Sequence, residues 1–372
     1  MKTPHAFKVP FVDLKAQYRS LKPEIDRAIK TVISETAFIS GKYAARFESE
    51  FAKAYGVKHC VSCANGTDAI YITLKCLGIG AEDEVITTAL SWISTAETIV
   101  QAGAKPVFVD IEKDYFNINP DLIEAKITPR TRAVMPVHLY GQPAAMDKIK
   151  KICDRHKLYL IEDCAQAHFA EQGGRKAGTF GIAATFSFYP GKNLGAYGDA
   201  GAILTNDEAL ARRMRMYANH GALVKHQHDM PGINSRMDGI QAAVLLAKLP
   251  HIQKWNRQRA RNAGFYEQAL KNIPQIKTPK APPDSTSIFH LYVIRTPQRE
   301  QVQEILKNEG IETAIHYPVA LPFMKAFADL RAKPEDYPVA ARYQHEILSL
   351  PMYPELSKAA IQRIARVLEK AF

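Results

Sequence analysis

The sequence predicts an α/β protein, a mainly parallel sheet clothed by helices and followed by a smaller α+β unit. Three observations carry this. From about residue 58, short apolar runs rich in valine and isoleucine alternate with helical stretches, the pattern of a parallel sheet buried on both faces. After about Gly239 a long helical stretch ends the alternation, and a mixed strand and helix segment follows. Finally, 372 residues, 47% of them hydrophobic, are enough for two cores.

Taken in order, an N-terminal helix over Leu14–Ser34 is expected to pack on the smaller unit or on a second subunit. Strands are expected in KHCVSC (58–63), EVITT (84–88), KPVFVD (105–110), RAVMPV (132–137) and LYLIED (158–163), then over Ala183–Phe188 and Gly201–Thr205. Helices are expected over Thr67–Cys76, Ser94–Gln101, Pro120–Ala125 and Met146–His156. Pro250 should bend or split the long helical stretch, because it lacks an N–H and clashes with the preceding turn. Beyond it lie a strand FHLYVIR (289–295), a helix from about Arg299, a strand ETAIHY (312–317) and a closing helix near Lys358. The expected division is a large domain over 1–245, with the N-terminal helix, and a small one over 246–372.

The net charge of +11 favours anionic partners such as phosphates and nucleotides. Lysines and arginines are scattered, and neither a basic run nor a nucleic-acid-binding motif is present, so no nucleic-acid partner is expected. Five cysteines, with one lone C-x-x-C at Cys60 and Cys63, form neither a disulfide framework nor a zinc ligand set, and no metal is expected. The N-terminal stretch MKTPHAFKVPFVDL has no leader-like apolar segment, and no run is long enough to span a bilayer. The expectation is a soluble cytoplasmic protein with no membrane partner.

In a parallel sheet, ligands bind beyond the carboxyl ends of the strands. The loops there carry a suggestive set. ANGTDA places Gly66 and Thr67 at a helix start, where free N–H groups suit a phosphate, though the same residues make an ordinary turn and cap. Trp92 in ALSWIS stands where a flat ring could stack on a heterocycle or fill a core. Asp163 ends a strand in IEDCAQAH, either as a helix cap or as the partner of a buried ring nitrogen; Gln166 and His168 follow it. The run FSFYPGKNLGAYGDAGAILTND holds Ser187 on a strand and Lys192 in a glycine-rich loop, where an enclosed lysine can lose its proton and attack a carbonyl. Phosphate cradle, stacking ring, strand-end acid and loop lysine together match the needs of pyridoxal 5′-phosphate.

That run, with NGTDA, IEDCAQAH, GINSRMDGIQAA, AIHYP and LSLPMYPEL, resembles the DegT/DnrJ/EryC1/StrS family from about residue 11 to the C-terminus. These are pyridoxal-phosphate-dependent nucleotide-sugar aminotransferases of fold type I, so the resemblance implies a seven-stranded sheet. It implies that Lys192 forms the Schiff base and that Asp163 pairs with the pyridinium. It places Gln166 near the ring hydroxyl, Trp92 on the ring, and Gly66, Thr67 and Ser187 on the phosphate. Asn234 would reach the phosphate of a neighbouring subunit, hence a homodimer with shared sites. Arg236, His316 and Tyr317 would contact the sugar, with His168 a further lining residue. Two departures stand out: Phe169 and Ala200 occupy positions where relatives usually have glycine. Phe169 is expected to narrow the pocket, and Ala200 to be tolerated if its φ is negative.

The resemblance further implies a ping-pong reaction from L-glutamate to C3 of a nucleotide-linked keto sugar. The loop around Lys192 most resembles enzymes acting on dTDP-3-keto-6-deoxyhexoses. CANGTDA and AIHYP also occur in relatives acting on UDP-linked 3-keto hexuronic acids. A sugar dehydratase, which has histidine in place of the lysine, and a non-catalytic regulator are the remaining alternatives.

Overall fold

A computed structural model describes residues 8–372; the first seven residues of the N-terminal stretch read above lie outside the described residues. Helix α1 (Leu14–Ser34) is capped by Asp13, whose carboxylate accepts from the Ala16 N–H. It is followed by α2 (Gly41–Tyr55), β1 (His59–Cys63), α3 (Gly66–Cys76), β2 (Glu84–Thr88), α4 (Ser94–Gln101), β3 (Lys105–Val109), β4 (Thr131–Met135), α5 (Met146–His156) and β5 (Tyr159–Asp163). Then come β6 (Ala183–Ser187), β7 (Gly201–Thr205) and α6 (Glu208–Ala218). The seven strands form one sheet in the order β1-β7-β6-β5-β4-β2-β3. All neighbours are parallel except β7, which runs antiparallel to both β1 and β6.

Helix α2 was not among the expected elements. Its Phe47, Phe51 and Tyr55 recur every fourth residue, so they share one face and bury it. Phe51 meets Phe186 and Phe188 edge-on at 5.2 and 5.4 Å. Gly56 ends the helix at φ 75°, a conformation glycine adopts without steric cost. Residues 120–125 make two short 3₁₀ turns rather than a helix, the first starting at Pro120 behind the Asn119 cap.

The expected split at Pro250 is present. Helix α7 (Gly239–Lys248) passes through a 3₁₀ turn containing Pro250 into α8 (Ile252–Leu270). Helix α1 packs along α7, and Leu21 and Ile25 join the core beneath the sheet. Within the chain, the expected packing of α1 on the smaller unit is thus replaced by this contact with α7; just before the helix, Val9 pairs with Ile311 and the Phe11 N–H donates to Glu312 at 2.8 Å. The second core gathers the far end of α8, β8 (Tyr292–Arg295), α9 (Arg299–Asn308), β9 (Ile347–Leu350) and α11 (Lys358–Glu369), with the short α10 (Pro338–Tyr343) beside it. Strands β8 and β9 pair antiparallel. The expected strand over 312–317 is an extended segment with a single bridge, Ala314 to Ser349. No described helix is long and apolar enough to cross a membrane, and all five cysteines are buried and unbridged.

Candidate active site

Strand register decides which side chains face the ligand edge. Asp163 pairs with Thr185 across β5 and β6, so Asp163 and Ser187 share one face while Glu162, Phe186 and Phe188 take the other. Glu162 is consumed structurally: it accepts from the Gly178, Phe180 and Gly181 N–H groups and from His138. Asp163 instead borders a cavity of about 750 Å³ at the carboxyl edge of the sheet. Gly66, Thr67, Trp92, Gln166, Ser187, Lys192, His316 and Tyr317 line the same cavity. The chain thus brings nine of the twelve expected site residues together.

Each is held for a local reason. Asn65 caps α3 by accepting from the Asp68 N–H, which leaves the Gly66 and Thr67 N–H groups at the helix start without intrahelical partners. A Cβ at Gly66 would stand 2.6 Å from the Ser187 Cβ, so glycine lets the helix start abut the end of β6. The Thr67 and Ser94 hydroxyls are 2.7 Å apart. Trp92 is 56% exposed and its ring lies 5.6 Å from that of Tyr317, leaving an indole face free on the cavity wall. The Gln166 amide is oriented from both ends, accepting from the Tyr140 N–H at 2.7 Å and donating to the Tyr317 hydroxyl at 3.0 Å.

Asp163 is buried, and burial pushes its carboxyl above the usual range. The Ala165 N–H at 3.1 Å, the Thr95 hydroxyl at 3.0 Å and the charge of Lys192 oppose that shift. The acid is thus short of a full cationic partner. Lys192 follows a turn closed by its own N–H to the Tyr189 carbonyl. Its exposed part opens on the cavity, and burial lowers its ammonium to about 8, with Asp163 pulling the other way. His316, fixed by Ser349 at 2.8 Å, is held neutral by burial, down to about 4.

Three expected residues lie elsewhere in the chain. His168 is fully buried on the opposite sheet face, its ring 5.7 and 5.5 Å from Phe186 and Phe188, so it does not line the cavity as expected. Arg236 borders a separate cavity of about 350 Å³ with Glu48 and Arg215, and Asn234 is exposed beside it, its backbone bridged to Asn219. Phe169 does not narrow the pocket either. It sits at φ 65°, which explains the glycine usual there, and its ring turns into the core 4.4 Å from Tyr55. Ala200 is not among the positive-φ residues, so its methyl is accommodated. Sequence reasoning missed Thr95, which holds Asp163, and His290, which lines the cavity. A histidine opening the apolar strand FHLYVIR was the available signal for the second.

The profile of the DegT/DnrJ/EryC1/StrS aminotransferases matches residues 19–369. The chain belongs to that family. Among its relatives are a pleiotropic regulatory protein of Geobacillus stearothermophilus, 44% identical over 98% of both chains, and a dTDP-3-amino-3,4,6-trideoxy-alpha-D-glucose transaminase of Streptomyces venezuelae, 42% identical over 96% of this chain and 94% of that protein. A UDP-2-acetamido-2-deoxy-3-oxo-D-glucuronate aminotransferase of Pseudomonas aeruginosa is 42% identical over 97% and 99%. The solved structure of S. venezuelae DesV, in complex with a ketimine intermediate, superposes with a TM-score of 0.95 at 41% identity over 98% of both chains. Pyridoxal 5′-phosphate is the family's cofactor. The site fits it: a helix start with free N–H groups for a phosphate, an exposed indole face for a ring, an under-paired buried carboxylate for a ring nitrogen and a buried amine for an aldehyde.

Proposed function

We propose that this chain moves an amino group from L-glutamate to the C3 keto carbon of a nucleotide-linked sugar, with a dTDP-3-keto-6-deoxyhexose as the favoured substrate. A UDP-linked 3-keto hexose or hexuronic acid is the second reading, supported by the uronate named for the P. aeruginosa relative. The observation that carries the proposal is one cavity holding a depressed lysine and an elevated carboxylate, Lys192 and Asp163. Groups shifted in opposite directions in one cleft mark proton-transfer chemistry.

Bound pyridoxal phosphate supplies an aldehyde for amine exchange and a ring that withdraws electrons from the reacting carbon. The protein's part follows from its side chains. With its ammonium lowered to about 8 by burial, Lys192 would supply a free amine for that aldehyde. Lys192 Nζ would be the group placed to take up and give back a proton beside the cofactor, and a pKa near the working pH suits both roles. Asp163 Oδ would hold the proton on the cofactor's ring nitrogen, and Thr95 and Ala165 fix the carboxylate in place for that role. The Gly66 and Thr67 N–H groups and the Ser187 hydroxyl would hold the phosphate, Trp92 would offer its face to the ring, and Gln166 would serve the ring's edge. His316 and Tyr317 face the sugar, and the basic surplus of the chain suits its diphosphate.

Asn234 and Arg236 belong to this scheme only as contributions from a second copy, so the working form in this proposal is a homodimer in the cytoplasm, with residues 246–372 as the small domain of each subunit. The test is a panel of dTDP- and UDP-linked keto sugars with glutamate, products identified by mass. Amination of a dTDP-3-keto-6-deoxyhexose is expected. Cofactor absorbance without amination of any sugar would instead leave a regulator. Mixing Lys192→Ala chains with Asn234→Ala chains should restore activity to two inactive proteins; failure to do so rejects the shared site.

A further inference from the structure

Hydrogen bonds behind the cavity wall fix the state of a histidine that faces it. Two backbone carbonyls, which can only accept, anchor these bonds. The His168 carbonyl takes a bond from Asn256 Nδ2 at 2.9 Å, which sets the orientation of that amide and points Asn256 Oδ1 at Asn193. Asn193 Nδ2 donates to Asn256 Oδ1 at 2.9 Å and to the Ile288 carbonyl at 3.2 Å, so its orientation is set too. Asn193 is 2% exposed, and its remaining polar atom, Oδ1, lies 3.1 Å from His290 Nδ1. An oxygen there demands a proton on Nδ1. The imidazole is neutral, because burial and the positive charges of Lys192 and Arg259 hold its pKa well below the usual value. Its Nε2 is therefore a bare lone pair. That atom has no hydrogen-bond partner among the described residues, and His290 lines the cavity.

We propose that His290 is a substrate-binding residue whose Nε2 accepts a hydrogen bond from a sugar hydroxyl next to Lys192. This rests on the functional reading above. A bare lone pair takes a donor and repels carboxylates, so it suits a hydroxyl and offers nothing to the two carboxylates of glutamate. The contact therefore belongs to the sugar half of the reaction alone. Asn193, the residue after Lys192, is the positioning group that fixes the tautomer.

Two substitutions separate the ring's two nitrogens. In His290→Asn the amide can still donate to Asn193 but nothing reaches the cavity; in His290→Gln a polar atom stands near the place of Nε2. His290→Asn should leave the glutamate half-reaction within about twofold and raise KM for the keto sugar about tenfold, the size of one neutral hydrogen bond. His290→Gln should recover most of that loss. A sugar analogue lacking the contacted hydroxyl should bind wild type and His290→Asn alike. Independently of activity, ¹⁵N-resolved NMR should show His290 as the Nδ1–H tautomer, its signals identified by their loss in His290→Asn. An Nε2–H tautomer overturns the proposal, as does a His290→Asn defect shared equally by both half-reactions or absent from both. A wild-type protein inert toward every keto sugar overturns the functional reading and this contact with it. An active wild type beside an unimpaired His290→Asn overturns the contact alone.

Discussion

Replacing Lys192 with methionine should reveal the cost of keeping an ammonium in this cavity. The perturbation removes the charge and keeps a side chain of similar length. In the folded protein burial brings the group to about 8, from an ordinary 10.5. Between those values the unfolded chain holds the proton and the folded chain does not, so wild-type stability rises with pH across the window. Below about pH 8 the folded protein carries the cation at a cost; above 10.5 neither state does, and the cost is gone. The gap corresponds to about 2 to 3 kcal/mol, taken at the lower side because part of Lys192 meets cavity solvent. The assay is urea unfolding of the cofactor-free protein and of Lys192→Met from pH 7.5 to 10.5. Wild-type stability minus that of the variant should climb by about 2 to 3 kcal/mol. A difference that stays flat, or falls as pH rises, would refute the reasoning, because an unstrained, solvated lysine predicts no change.

Asp163→Asn should slow the glutamate half-reaction about 10²- to 10³-fold, the usual loss when a preorganised electrostatic partner is removed, as read by stopped-flow absorbance. Gly66→Ala forces a Cβ to within 2.6 Å of the Ser187 Cβ; it should destabilise the protein by about 1 to 3 kcal/mol and weaken pyridoxal phosphate binding about tenfold, measured by denaturation and titration. Phe169→Gly relieves a positive φ worth about 1 kcal/mol but removes a buried ring worth about 3 to 5, so a net loss of about 2 to 4 kcal/mol with kcat unchanged is expected.

The sheet was legible because its strands are short apolar runs separated by amphipathic helices, a period that survives without knowledge of contacts. Helix α2 is not read from the sequence although its Phe47, Phe51 and Tyr55 stripe is regular, because it precedes the first strand and so stands outside the strand–helix alternation that begins near residue 58. The segment 312–317 looks like a strand in composition. It fails to become one because the β8–β9 pair leaves it only the single bridge at Ala314. In the site, residues at strand ends and helix starts were readable, since topology alone sends them to one edge. His168 was not, because the chain turns after Asp163 and carries the imidazole to the other face of the sheet, among Phe186 and Phe188. Thr95 and His290 depend on partners 68 and 97 residues away, which no local pattern encodes.

Arg259 stands behind the part of the cavity wall carried by residues 289–290 and 352. One buried guanidinium nitrogen donates to the Phe289, His290 and Met352 carbonyls at 3.2, 3.2 and 2.8 Å. The segments carrying His290 and Met352 are thereby riveted together, although they are far apart in sequence. Neither can slide alone to admit a bulkier guest. Differences in sugar preference between this chain and its relatives should therefore trace to side chains projecting from a fixed frame, and grafting such side chains is a more promising route to altered selectivity than loosening the frame itself.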